Sequence, residues 1–107
     1  MDEPIPLRAF LLAQVLRFTR KVAGLPGVSR IALVGSLVTP KAAPKDADVL
    51  VSVSPDCSLE KLATAARALK GQAQTRNSGA DIFLADFVGR YLGRICHWRE
   101  CRPGIRL

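Results

Sequence analysis

Two aspartates, Asp46 and Asp48, stand directly before an apolar run in the segment KDADVLVSV. Residues two apart on a strand project from the same face, so both carboxylates could meet one hard divalent cation. A third acid, Asp81, opens another apolar stretch, ADIFLAD, and shares its face with Phe83 and Ala85, opposite Ile82 and Leu84. Asp86 competes with it for the third position, but its place at the end of that stretch suits a strand terminus or a cap. Three carboxylates gathered in a low-dielectric site repel one another, and bound Mg²⁺, or Mn²⁺ in its place, is the usual resolution. Such ions activate an attacking hydroxyl and stabilise a leaving pyrophosphate. Upstream, Gly35-Ser36 follows the short apolar run Ile31 to Val34. A glycine closing a strand lets backbone amides approach a phosphate, a helical turn after it presents further N–H groups, and Ser36 can donate one more hydrogen bond. Lys41 and Lys45 in the intervening loop, or Arg76 across the site, could offset phosphate charge.

At these residues the chain resembles the nucleotidyltransferase superfamily that includes DNA polymerase β, and most closely its small stand-alone members, the minimal nucleotidyltransferases. The family pattern is a hydrophobic residue followed by Gly and Gly or Ser, a spacer, an acid-hydrophobic-acid triplet, and a later acid on a separate strand. The matching residues are Val34-Gly35-Ser36, Asp46-Ala47-Asp48-Val49 and Ala80-Asp81-Ile82. The resemblance runs from Ser29 to about Asp86 and implies a mixed sheet with helices packed on one face and carboxylates on the other. It implies transfer of a nucleoside monophosphate from a nucleoside triphosphate to an acceptor hydroxyl, on protein or nucleic acid. Asp46 and Asp48 would hold both metal ions, Asp81 would hold the catalytic one and help deprotonate the acceptor, and Gly35, Ser36 and Lys45 would bind the nucleotide.

The spacer departs from the family pattern. Many members carry a second Gly and a Ser just before the first acid, whereas this chain reads TPKAAPK there. The chain also lacks a substantial second domain, so an acceptor must be held by the tail or by a partner chain. A second function follows from the same resemblance: a catalytically weak or inactive domain acting as an antitoxin, as small family members pair with a helical toxin protein. Residue by residue, blander readings stand beside these. Gly35-Ser36 alone is a structural turn, and Asp46 and Asp48 alone are the solvated charges that protect strand edges. A third function, a basic nucleic-acid-binding module, accounts for the charge but not for the spacing of the acids.

The elements that must position these groups follow from periodicity. From Ile5 to Gly24, Leu7, Phe10, Leu11, Val15, Phe18 and Val22 recur at helical spacing, with Gly24 and Pro26 as the stop. Ile31 to Val34 reads as a buried strand, TPKAAPK as a surface loop, and Asp46 to Val53 as a strand alternating between faces. Ser58 is a helix N-cap, Leu59, Leu62, Ala66 and Leu69 form the stripe of a second helix, and Gly71 closes it. ADIFLAD is the third strand. The expected class is α/β (α+β), a nucleotidyltransferase-like mixed β-sheet with helices on one face. One domain covers residues 1–107, with the motifs in 29–86 and a basic tail, rich in Arg and Cys, over 87–107.

Bulk properties bound the partners. A chain of 107 residues with 49% hydrophobic content is globular and of single-domain size. Its apolar windows fall short of the roughly 20 residues of a membrane span and its N-terminus, MDEPIPLRAF, is acidic, so no membrane partner is expected and the location is cytoplasmic. The formal charge of +7 favours an anionic partner. Arg90, Arg94, Arg99, Arg102 and Arg106 face only Glu100 in the final segment, making it a basic patch open to a nucleic-acid acceptor. Tyr91 and Trp98 read as packing residues. Three cysteines, Cys57, Cys96 and Cys101, do not make a disulfide framework. The run CHWREC lacks Cys-x-x-Cys spacing, so zinc at Cys96, His97 and Cys101 is not expected.

Overall fold

The computed structural model describes residues 5–35, 46–95 and 105–106, the last two through their backbone only. Helix α1 spans Leu7–Val22, strand β1 Val28–Val34, β2 Asp46–Val53, helix α2 Leu59–Gln74, β3 Gly79–Ala85, β4 Tyr91–Ile95 and β5 Ile105–Arg106.

Helix α1 forms because its apolar residues return every three or four positions, and Leu11, Val15, Phe18 and Val22 are the ones it buries. Arg20 and Lys21 sit in its last turn, where positive charge meets the negative end of the helix dipole. Helix α2 begins at Ser58, whose hydroxyl accepts a hydrogen bond from the Lys61 N–H at 3.3 Å. It does not stop at Gly71 as expected. It runs on to Gln74, and the chain leaves it through Asn77, which adopts the left-handed conformation at φ 55°. A single glycine weakens a helix without ending one, and here the buried Ala73 beyond it still has core to pack against.

The strands form one mixed sheet in the order β1-β2-β3-β4-β5. β1 pairs antiparallel with β2, β2 pairs parallel with β3, and β3 pairs antiparallel with β4. The parallel pair requires a crossover, which α2 supplies. β1 is longer than the run Ile31 to Val34 that marked it, beginning at Val28. The tail, to which periodicity assigned no element, opens with one: its first part, Tyr91–Ile95, is a strand hydrogen-bonded beside β3. The basic segment therefore begins as part of the sheet.

Alternation along the strands sorts the two faces. Ala47, Val49, Val51 and Val53 of β2 and Ala80, Ile82 and Leu84 of β3 are buried in one core cluster with the inward residues of both helices. Burying a Val or Leu side chain stabilises by about 1.5–3 kcal/mol relative to leaving it in water, so this face holds the helices on the sheet. The other face carries Asp46, Asp48, Leu50, Ser52, Asp81 and Phe83, all partly or fully open to solvent. Helices on one face and carboxylates on the other is the expected arrangement. Among the described residues, no helix is long and apolar enough to cross a membrane.

Candidate functional site

Register decides which acids meet. In the parallel pairing of β2 with β3, Asp48 stands opposite Asp81, while Asp46 stands opposite Gly79. Adjacent strands lie about 4.8 Å apart, and paired residues share a face, so Asp48 and Asp81 are lateral neighbours. β1 pairs with β2 as far as Asp48 and β3 pairs with it on the other side, which removes the reading of Asp48 as a strand-edge charge.

Asp46 has a partner of its own. The Gly79 N–H donates to its Oδ1 at 3.1 Å, and a Cβ on residue 79 would lie 2.6 Å from that oxygen. The carboxylate can reach that amide only because residue 79 has no side chain. Gly35 plays a similar part for Asp48. The antiparallel register sets Val34 opposite Asp48, so the residue that ends β1 lies against the start of β2. Gly35 has φ +79°, and a Cβ there would fall 2.5 Å from Oδ2 of Asp48. A strand-closing glycine and an acid of the next strand are thus in direct apposition.

The electrostatics follow from this crowding. Partial burial, then the charge of Asp81, then that of Asp46 raise the Asp48 carboxyl above its ordinary value of 3.8. Asp81 has a counter-ion: Nη1 of Arg94 lies 3.5 Å from its Oδ1, with both side chains substantially exposed. An exposed pair of this kind contributes at most about 1 kcal/mol, so Arg94 is a guanidinium that an anion can draw away. The tail arginine was legible as positive charge but not as a partner of Asp81. That role depends on β4 pairing with β3, which sets Arg94 opposite Phe83, diagonally from Asp81.

The other expected site residues fall in three places. Ser36, Lys41 and Lys45 lie outside the described residues, as do Cys96, His97, Trp98, Arg99, Cys101 and Arg102. Arg76 is turned elsewhere: its guanidinium donates to the Ile5 carbonyl at 2.8 Å and stacks over the Phe10 ring, which ties the end of α2 to the start of α1. It is not a phosphate ligand of this site. Arg90 pairs with Asp86 at 2.9 Å, and with Arg94 on Asp81 the two tail arginines whose side chains are described each face a carboxylate. Asp86 caps the turn after β3 as its position suggested, accepting from the N–H groups of Val88 and Arg90.

A hard cation needs oxygen ligands, and the neighbouring carboxylates of Asp48 and Asp81 fit that requirement chemically. Mg²⁺ is commonly held by only one or two carboxylates, with waters and substrate phosphates supplying the rest. Among the described residues, no group of three or more His, Cys, Asp or Glu side chains is arranged to hold a metal ion. The site therefore consists of a carboxylate pair, a third acid turned to the Gly79 amide, a glycine packed against Asp48, and an arginine beside Asp81. Comparison of the chain with protein-family models, with curated proteins and with solved structures found no match.

Proposed function

We propose that this chain is a metal-dependent nucleotidyltransferase that moves a nucleoside monophosphate from a nucleoside triphosphate to an acceptor hydroxyl. The observation that supports it is the apposition of Gly35 to Asp48 together with the registration of Asp48 beside Asp81 on the uncovered sheet face. Asp48 and Asp81 would hold the divalent cation, with Asp46 beside them on the same face. Bound there, Mg²⁺ or Mn²⁺ would offset the charge of the triphosphate and lower the pKa of the acceptor hydroxyl. In this reading an Asp81 carboxylate oxygen takes the hydroxyl proton, and Arg94 shifts from Asp81 toward phosphate as the nucleotide enters. Gly35, having no side chain, leaves its backbone amide open to the phosphates.

A second reading has one observation in its favour. Asp81 is engaged by Arg94 and, among the described residues, no third carboxylate is arranged with the pair to hold a metal ion, which suits a domain that serves as a partner-binding protein of antitoxin type. Incubation with radiolabelled nucleoside triphosphates, Mg²⁺ and candidate protein and RNA acceptors separates the two. Label transferred by the wild type and not by Asp48→Ala supports the transferase. No transfer by either protein, with no rise in melting temperature on adding millimolar Mg²⁺ or Mn²⁺, favours the partner-binding reading.

A further inference from the structure

Three of the six large apolar residues that are exposed among the described residues lie in one short segment: Phe87, Val88 and Tyr91. Single exposed apolar residues are ordinary, but three at one hairpin are not. Phe87 and Val88 form the tip between β3 and β4, with 72% and 64% of their surface in water.

That tip is held rigid. Oδ1 of Asp86 accepts from the Val88 N–H at 3.0 Å and the Arg90 N–H at 2.8 Å, while Oδ2 accepts from Nε of Arg90 at 2.9 Å. The backbone closes the turn again, with the Asp86 N–H donating to the Arg90 carbonyl at 2.9 Å and the Gly89 N–H to the Asp86 carbonyl at 3.0 Å. A tip fixed in this way loses little conformational freedom when it is covered. Beside it lies a pocket of about 300 Å³, whose apolar lining is Val53, Pro55, Cys57, Leu59 and Leu92 together with Phe87 itself. Projecting apolar groups and an apolar recess therefore share one surface.

We infer that this surface is where two copies of the chain associate, about a two-fold axis that lays Phe87 of each copy into the pocket of the other. Knob and recess on the same patch satisfy the requirement of a two-fold interface, in which each copy offers the same surface to its mate. Charge selects the same end of the molecule. The chain carries 16 Lys and Arg against 9 Asp and Glu, so most of its surface repels a second copy. Among the described residues, the charged side chains lining this pocket are Asp86 and Arg90, one acid and one base paired with each other, so the patch is locally neutral on a basic chain. The interface also leaves the carboxylates open, because five residues of strand put Asp81 about 16 Å from Asp86.

Sedimentation velocity from micromolar to millimolar protein tests the assignment. The wild type should shift from monomer toward dimer as concentration rises. Phe87→Ser combined with Val88→Ser should weaken association about ten-fold or more, the loss expected of removing a central aromatic anchor. Val88→Glu should do the same by setting like charges across the axis. A melting transition near that of the wild type confirms that these exposed substitutions leave the fold intact. Leu12→Gln with Leu16→Gln, on the exposed side of α1, should leave association unchanged. A protein that stays monomeric at millimolar concentration overturns the proposal. So does a dimer that survives the Phe87 and Val88 substitutions, or one abolished by those in α1.

Discussion

The Asp48 carboxylate rests against the backbone of Gly35, so close that a methyl group there would meet Oδ2 at 2.5 Å. The contact joins the end of β1 to the start of β2 and makes the identity of both residues interdependent.

Gly35→Ala should destabilise the fold by about 1–3 kcal/mol, through the left-handed φ of +79° and the clash with Asp48 together. The two causes separate in a double-mutant cycle with Asp48→Gly, which removes the colliding carboxylate but not the backbone strain. Urea titration of the four proteins reads the coupling. Strictly additive effects would show that the apposition carries none of the cost.

Asp48 also makes stability depend on pH in a direction opposite to most carboxylates. Its folded-state pKa is raised above the ordinary 3.8 by burial and by the charges of Asp81 and Asp46. The folded state then binds this proton more tightly than the unfolded chain, so stability falls as pH rises from the ordinary value through the raised one. Above that window the cost is fully present. Asp48→Asn should therefore melt higher than the wild type at pH 7, and the difference should close as the buffer is taken down past the ordinary Asp value. A gain that persists unchanged in acid would point to packing instead of charge.

Gly71 offers a test of the helix that runs through it. Nothing lies within 4 Å of a Cβ built at this position, and α2 continues past it to Gln74. Gly71→Ala should stabilise the protein by about 0.5–1 kcal/mol by removing backbone freedom from the unfolded chain. The midpoint of urea unfolding should rise with its slope unchanged. A fall in the midpoint would mean that α2 ends at Gly71 in solution.

Local periodicity was enough to read the two helices, the strand Asp46–Val53 with its apolar and acidic faces, the Ser58 cap and the terminal position of Asp86. These depend on neighbours within a few residues, where the repeats of helix and strand act directly on the order of side chains. The continuation of α2 beyond Gly71 was missed because the stop signal is local while the burial of Ala73 that extends the helix comes from the packed core. Strand β4 was hidden in the basic tail because a five-residue strand with an exposed Tyr and Arg has too weak a pattern to stand out. The partners of the acids were beyond local reading altogether. Asp48 beside Asp81, Gly35 against Asp48, Arg94 on Asp81 and Arg76 turned away to Phe10 each join residues separated by at least 13 positions. Sequence alternation places a side chain on a face, but its neighbours across the sheet are chosen by strand order and register. Those are settled only when the whole sheet pairs and the helices cover one side of it.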